Sequence, residues 1–227
     1  MELEEIKVKD YQGKKTQPML TSNITQDKFA VGYKKVPQTY SADGKLRFGD
    51  AIMILNKKTN GFLVLDVGER IVSNEEAYVL NTTDAEIGPC GRSVFILQQA
   101  PDEDNEYNDG FVHYGQKIQI VSNNYVYRKP LHLHSIPVST TAYSKISRKQ
   151  EVCMHTKKAY NTHWVIEFVD PNNRFEAEGS VVTANAPVII KHAATNQYLG
   201  SDVNAIKTDY GKEYEVLGHT FCTQNKS

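Results

Sequence analysis

Alternating apolar and polar positions, followed each time by a polar turn, recur three times along the chain. The stretches read FGDAIMI, YGQKIQI and ANAPVII over residues 48–54, 114–120 and 184–190. An alternation with a period of two predicts β-strands, and the polar turns predict that each stretch begins a hairpin. The three starts lie 66 and 70 residues apart, so the pattern indicates an internal threefold repeat.

An aromatic position marks the second half of the repeat. Phe95 follows the first start by 47 residues, and Trp164 follows the second start by 50 residues. The next repeat begins 19 residues after Phe95 and 20 residues after Trp164. This shared order and spacing predicts that the two rings pack in equivalent places. The third aromatic would fall beyond Ser227, so we expect an incomplete third repeat.

Three hairpins that share one core predict an all-β, β-trefoil-like domain over residues 45–227. Tight turns are expected at Asp43-Gly44 and Asn60-Gly61. The more polar segments 67–90 and 136–160 are interpreted as insertions between strands. Six aliphatic residues of the hairpins are expected to be largely buried: Ile52, Ile54, Ile118, Ile120, Val188 and Ile190.

The N-terminal residues 1–44 show no hydrophobic period and are predicted to form an extended basic arm. Residues 6–47 hold nine lysines and arginines against three aspartates, a net charge of +6. So little apolar surface does not offset the entropy of ordering, and the arm would therefore become ordered on an acidic partner. The alternative is a solvated tail. The candidate partner-binding residues are Lys7, Lys9, Lys14, Lys15, Lys34 and Lys35.

Bulk composition excludes several classes of function. A net charge of −1 does not indicate nucleic-acid binding. No apolar run approaches the roughly 20 residues that span a bilayer. The charged N-terminus has no hydrophobic signal region, and the three cysteines show no CxxC spacing, which favours a reducing cytosol.

Candidate catalytic and metal-binding residues are sparse. His132 and His134 share one strand face, but no cluster of Cys, Asp or Glu nearby completes a metal site. The acidic loop 102–109 fails as a calcium loop because Tyr107 stands where glycine is needed and His113 where a bidentate glutamate is needed. No nucleophile elbow, P-loop or dinucleotide fingerprint is present. We therefore expect no catalysis, metal, cofactor or small-molecule substrate.

The third repeat resembles a known repeat family. Residues 188–199 read VIIKHAATNQYL, similar to MIR repeats, which build β-trefoils. The stretches 210–216 and 219–221, together with residues 40–50, 89–91 and 184–186, resemble the cilia- and flagella-associated protein 161 family. This resemblance covers roughly residues 40 to 221. The chain ends at Ser227, before the Asn-His-Trp strand with which that family closes.

The resemblance implies a non-enzymatic microtubule inner protein of motile cilia. Its expected location is the cytoplasmic cytoskeleton, inside the doublet microtubules of the axoneme. Its expected partners are the α/β-tubulin lattice and neighbouring inner proteins, with no nucleic acid and no membrane. Two other hypotheses remain: a carbohydrate-binding MIR-type module, and an enzyme whose site follows no known motif.

Overall fold

The computed structural model describes residues 21–71, 74–83, 86–101 and 107–220. Within these residues the protein is all-β, with one twelve-stranded antiparallel sheet, two α-helices and two 3-10 turns. The helices are α1 (Thr21–Gly32) and α2 (Arg174–Ala177), and the 3-10 turns are Tyr160–Thr162 and Pro171–Asn173. The strands are β1 (Ala51–Ile52), β2 (Leu55–Asn56), β3 (Gly61–Ile71), β4 (Asn74–Thr83), β5 (Phe95–Gln99), β6 (Lys117–Ser122), β7 (His132–Ser135), β8 (Gln150–His155), β9 (Trp164–Phe168), β10 (Val188–His192), β11 (Tyr198–Thr208) and β12 (Gly211–His219).

The order of the strands in the sheet is β1-β5-β6-β9-β10-β11-β12-β8-β4-β3-β2. Strand β7 joins β6 to β8, and β12 also pairs with β4. Strands β4, β8 and β12 therefore pair with one another in a closed set of three. Each of these three strands comes from a different sequence repeat.

A second closed set of three lies where the repeats begin. The backbone N–H of Leu46 donates to the Val182 carbonyl at 3.0 Å, Val182 donates to Val112 at 2.8 Å, and Val112 donates back to Leu46 at 2.9 Å. These three residues are separated by the same 66 and 70 positions as the repeats. The sequence repeat is therefore also a repeat of backbone hydrogen bonding.

The two aromatic landmarks occupy equivalent places, as the spacing predicted. Phe95 on β5 and Trp164 on β9 are each flanked by the first strands of two neighbouring repeats, and both rings are fully buried. Their cross-strand partners stand at matching repeat positions and are Ile52 and Ser122 for Phe95, and Ile118 and His192 for Trp164. The indole N–H of Trp164 donates to the Leu133 carbonyl at 2.9 Å, which satisfies its one polar atom.

The burial expected of the six aliphatic residues is confirmed for only two of them. Ile118 and Ile120 of β6 are 0% and 1% exposed. The residues at the matching positions of the first and third repeats are only half-buried, and they are Ile52, Ile54, Val188 and Ile190. The physical difference is that β6 has a strand on each side, whereas β1 and the start of β10 have a strand on one side only.

Two segments interpreted as insertions contain regular strands, so that interpretation was wrong for them. Strands β3 and β4 form one long hairpin that runs through most of 67–90, and β8 lies within 136–160. Their polar composition misled the prediction because inward polar side chains here find partners. Gly61 begins β3, and the predicted turn precedes it, with Asn60 at φ 51°. A Cβ on Gly61 would lie 2.2 Å from the Thr83 carbonyl oxygen, so only glycine fits.

The extended arm predicted over residues 1–44 is not what the described part of that range forms. Residues Thr21–Gly32 are α-helical, and the following segment runs back along the sheet. Lys35 pairs with Cys90, and the Thr39 N–H donates to the Ala51 carbonyl at 3.0 Å. The prediction failed because the helix has almost no amphipathic pattern of its own and is held by contacts from distant residues. The division of the chain at residue 45 stays a prediction.

Candidate functional site

The first candidate surface is the N-terminal segment, which α1 fastens to the β11–β12 hairpin. The rings of Phe29 and Tyr33 lie 5.1 and 5.5 Å from the ring of Tyr210, both in edge-on orientation. The Tyr210 hydroxyl donates to the Lys28 carbonyl at 3.1 Å. Gly32 passes so close that an added Cβ would meet the Tyr210 hydroxyl at 2.6 Å. Tyr210 is therefore the anchor of the helix.

An ion-pair cluster fixes the same helix. The Lys28 ammonium lies 2.7 Å from the Asp66 carboxylate and 2.8 Å from that of Asp209. Burial alone would lower the pKa of Lys28, but the hydrogen bonds and charges of Asp209 and Asp66 outweigh it and raise the pKa. Lys28 is one of the nine basic residues counted in the predicted arm. Its charge is already neutralised within the fold, so it is not available to a partner.

A fully buried ion pair lies behind this cluster. The Arg92 guanidinium donates to the Glu213 carboxylate at 2.5 Å, and both side chains are at most 2% exposed. Asn81 donates to the other Glu213 oxygen at 2.9 Å. The guanidinium carbon also lies 3.4 Å from the centre of the Tyr210 ring. The charges are thus paired and hydrogen-bonded, as burial requires.

Sequence reasoning missed this pair, although the sequence holds one signal for it. Glu213 and Glu215 alternate in phase with Leu217, so both carboxylates stand in the inward phase of β12. A charged side chain in that phase needs a partner inside the protein. Glu213 finds Arg92, and Glu215 accepts from the backbone N–H groups of residues 146 and 147 at 2.7 and 3.0 Å.

Two of the six predicted partner-binding lysines lie in the described part of the chain. Lys34 and Lys35 are both exposed. The Lys34 ammonium lies 5.1 Å from the centre of the Tyr125 ring, and its backbone carbonyl accepts from Gly91 at 2.8 Å. These two lysines are therefore held on the surface of the sheet rather than on a free arm. The other four, Lys7, Lys9, Lys14 and Lys15, lie outside the described residues.

The structure gathers histidines between β7 and β8. His134 and His155 lie 4.8 Å apart, measured between ring centres, and His132 stands opposite His155 in the strand ladder. Burial lowers the pKa of all three imidazoles, and that of His134 falls to about 4. They are therefore neutral near pH 7. The predicted pair is thus part of a larger group, because strand pairing adds His155.

One contact in this group resembles a catalytic dyad but lacks its chemistry. The Cys153 sulfur lies 3.7 Å from Nδ1 of His134. Burial, with the charge of Glu151, raises the pKa of the Cys153 thiol, and a thiol rather than a thiolate is a poor nucleophile. Across the described residues no three His, Cys, Asp or Glu side chains are placed to hold a metal ion. The group reads as packing.

His192 has the structural role that the sequence predicted for it. Its ring is completely buried against Trp164, with 4.8 Å between ring centres. Nδ1 lies 2.8 Å from the Thr195 hydroxyl, and Nε2 lies 3.0 Å from the Asn161 carbonyl. Both ring nitrogens are therefore occupied at the entry to the turn.

Several large apolar side chains stand on the surface. The most exposed are Tyr40 at 90%, Phe175 at 87%, Val203 at 63% and Tyr160 at 60%. Separate exposed apolar residues are common and do not by themselves mark a site. Among the described helices, none is both long and apolar enough to span a bilayer.

Solved structures identify the fold class first. The SDF2-like protein of Arabidopsis thaliana superposes with a TM-score of 0.62 at 21% identity, over 79% of this chain and 90% of that chain. The Pmt1-Pmt2 protein O-mannosyltransferase complex of S. cerevisiae, bound to its sugar donor, reaches 0.61 at 15% identity, over 85% of this chain and 25% of that one. At these identities the likeness shows a shared fold alone.

Sequence comparison identifies the family. The family model of the cilia- and flagella-associated protein 161-like domain matches residues 32–227. The chain is 29% identical to cilia- and flagella-associated protein 161 of Danio rerio over 86% of its length, and 30% identical to that of Mus musculus over 82%. The chain belongs to this family, whose name associates it with cilia and flagella. The matched region spans 69% of the Danio rerio relative and 62% of the Bos taurus relative.

Proposed function

We propose that this protein is a structural protein of the ciliary axoneme that binds the luminal wall of the doublet microtubule. The observation that carries the proposal is family membership over residues 32–227. Its partners would be the α/β-tubulin lattice and neighbouring luminal proteins. The paired charges and neutral histidines of the interior suit a scaffold, because they stabilise the domain and leave its surface for contacts.

Within this proposal, the N-terminal residues act as a basic strap against acidic tubulin. Lys7, Lys9, Lys14 and Lys15 precede α1, while Lys34 and Lys35 lie exposed just after it. Each exposed ion pair is worth only about 0.2–1 kcal/mol, so several have to act together. Because α1 is fastened to the sheet, the strap and the domain would bind as connected surfaces.

We also propose that the sheet is an MIR-type β-trefoil with an incomplete third repeat. The closed hydrogen-bond ring at Leu46, Val112 and Val182 supports this arrangement. The equivalent placement of Phe95 and Trp164 supports it as well. The carbohydrate-binding alternative rests on fold likeness alone, and a fold of this kind hosts many functions.

Localisation tests the proposed function directly. A tagged copy expressed in ciliated cells should fractionate with axonemes and stay with the doublet microtubules after the salt washes that strip outer proteins. Immuno-electron microscopy should place the tag inside the tubule. Recovery in the membrane-plus-matrix fraction, or a tag on the outer wall, would contradict the proposal.

Charge removal tests the strap without disturbing α1. Replacing Lys7, Lys9, Lys14 and Lys15 by alanine should increase release from axonemes as salt is raised, because exposed ion pairs are screened. The matched control replaces four exposed lysines of the domain by alanine, and these are Lys57, Lys129, Lys145 and Lys158. If both variants are released at the same salt concentration as the unaltered protein, the strap does not bind tubulin.

A further inference from the structure

The three repeats differ in how their first strands are covered. In the second repeat, β6 has β5 along one edge and β9 against the start of the other edge. Within the described residues β1 pairs with β5 alone, and the start of β10 pairs with β9 alone. The edges left uncovered are those that a third strand, equivalent to β5 and β9, would join. An opening one strand wide therefore lies between β1 and β10.

The side chains at this opening show the missing contact. Ile118 is 0% exposed, whereas Ile52 and Val188, at the same repeat position, are half-buried. Leu55 is 47% exposed, whereas Val121, at the matching position of β6, is 1% exposed. Apolar side chains left in this way favour an apolar covering element.

Backbone groups are also set for a strand. The Gly49 N–H donates to the Leu97 carbonyl at 2.8 Å, and the Gly115 N–H donates to the Ile166 carbonyl at 2.9 Å. Asn185 takes the same position in the third repeat, with φ 62°, and its N–H finds no such acceptor among the described residues. Thr39 closes one end of the opening by bonding to both backbone groups of Ala51.

We propose that this opening, the strand slot, binds one extended segment of a partner polypeptide with an aromatic–aliphatic–aliphatic sequence. The two strands at equivalent places carry that sequence, as Phe95-Ile96-Leu97 and Trp164-Val165-Ile166. In each, the first and third side chains are buried, and the third residue accepts the hydrogen bond from the repeat start. Addition of a strand to an open edge is a common mode of peptide recognition, in which the ladder gives affinity and the pockets give specificity.

A second copy of this chain does not fit the strand slot. The described strands with the required sequence, β5 and β9, are paired on both edges, and Phe95 and Trp164 are 0% and 1% exposed. To donate either strand, the copy would have to unfold its own sheet. The partner is therefore a different polypeptide. This inference goes beyond the axonemal function and does not depend on it.

Peptide binding tests the strand slot. The probe is a fluorescein-labelled peptide with the sequence THWVIEFV, that of residues 162–169, flanked by lysines for solubility. Its fluorescence anisotropy should rise saturably with the full chain. Replacing the peptide's tryptophan by alanine should weaken binding at least about tenfold, because buried aromatic anchors dominate such contacts. No saturable binding of the unaltered peptide would overturn the proposal.

Protein variants locate the binding. Val188→Asp should weaken binding at least about tenfold, since it places a charge in the slot. Val203→Asp is the matched control, because Val203 is 63% exposed on β11, and it should bind as the unaltered chain does. Equal loss in both variants, with both folded by circular dichroism, would place the peptide elsewhere.

A fusion keeps the test valid if Val188→Asp fails to fold. The same eight residues are joined to the C-terminus through a flexible linker, with a scrambled sequence as the control. The fused strand should raise the melting temperature by several degrees over the scrambled fusion, since a segment that binds only the folded state stabilises it. Equal melting temperatures would contradict the proposal, and so would sedimentation of the unfused chain as a dimer.

Discussion

At the scale of single residues, the interior is held together by a few fully paired polar side chains. Glu213 has one oxygen on Arg92 and the other on Asn81, and the guanidinium rests on Tyr210. Pairing of this quality offsets the cost of taking two charges out of water, but removal of one partner leaves the other uncompensated. The pair therefore constrains β12 against the turn that follows β4.

Glu213→Gln should destabilise the protein by about 3–5 kcal/mol, because it leaves the Arg92 charge buried and unpaired. The measurement is urea denaturation followed by fluorescence. The double variant Arg92→Met/Glu213→Leu should recover much of the loss. Asp43→Asn is the control, since it breaks the exposed pair with Arg47 and should cost far less. Equal losses in the two single variants would contradict the buried pairing.

Trp164→Ala should cost about 3–5 kcal/mol, as large-to-small changes in a core do. The ring is 1% exposed, and its loss also leaves the Leu133 carbonyl without its donor. Trp164→Phe keeps most of the packing and should cost about 1–3 kcal/mol, the penalty for an unsatisfied buried group. A loss under about 1 kcal/mol for the alanine variant in urea melts would place the ring on the surface.

At the scale of elements, β7 and β8 carry groups whose titrations act in opposite directions. Burial lowers the pKa of His132, His134 and His155, so their contribution to stability is full above pH ~6.5, where unfolded histidine is neutral, and falls as the pH drops toward 4. Burial and the charge of Glu215 raise the pKa of Glu151 to about 7, so its contribution is full below pH ~4.5 and is lost as the pH rises through 7.

Glu151→Gln should therefore separate the two effects. At pH 8 the variant should melt at a higher temperature than the unaltered chain, because it removes a buried carboxylate that is charged there. Between pH 7 and 5 it should lose stability more steeply, since only the histidines still titrate. Melting temperatures across pH 5–8 by scanning fluorimetry check this, and parallel pH profiles would contradict it.

Tyr210→Ala should release α1 and leave the rest of the sheet intact. Phe29, Tyr33 and the Lys28 carbonyl would lose their shared contact, and local opening would follow. Hydrogen exchange should rise about tenfold or more over residues 21–32, since a loss of 1.4 kcal/mol already gives that factor. Strands β6 and β9 should exchange as before. Tyr40→Ala is the control because Tyr40 is 90% exposed.

At the scale of the whole molecule, the boundary between strap and domain lies before α1 in this structure. Deletion of residues 1–20 should leave the melting temperature within a few degrees of the full chain. Deletion of residues 1–40 should lower it by roughly 4 °C or more for each kcal/mol lost in a small domain, or about half that in one of this size. The longer deletion uncovers Tyr210 and leaves the buried Asp66 without Lys28. Equal melting temperatures would return residues 21–40 to the arm.

The sequence by itself determined the repeat and its landmarks. Alternation with a period of two and recurring turns are local signals, so the hairpin starts could be placed without any distant contact. The spacing of Phe95 and Trp164 then predicted their equivalent packing, which the strand registers confirm. Family resemblance was likewise carried by short local motifs in the third repeat.

Only the tertiary structure decided which surfaces are covered. Helix α1 depends on Tyr210, Glu213 depends on Arg92, and His134 meets His155 through strand pairing. These contacts join residues far apart in the chain, and no local pattern encodes their proximity. The half-buried state of Ile52 follows in the same way, because its repeat position is that of a core residue and only the sheet order reveals the uncovered edge. Burial is a property of neighbours in space, and that is why it needed the fold.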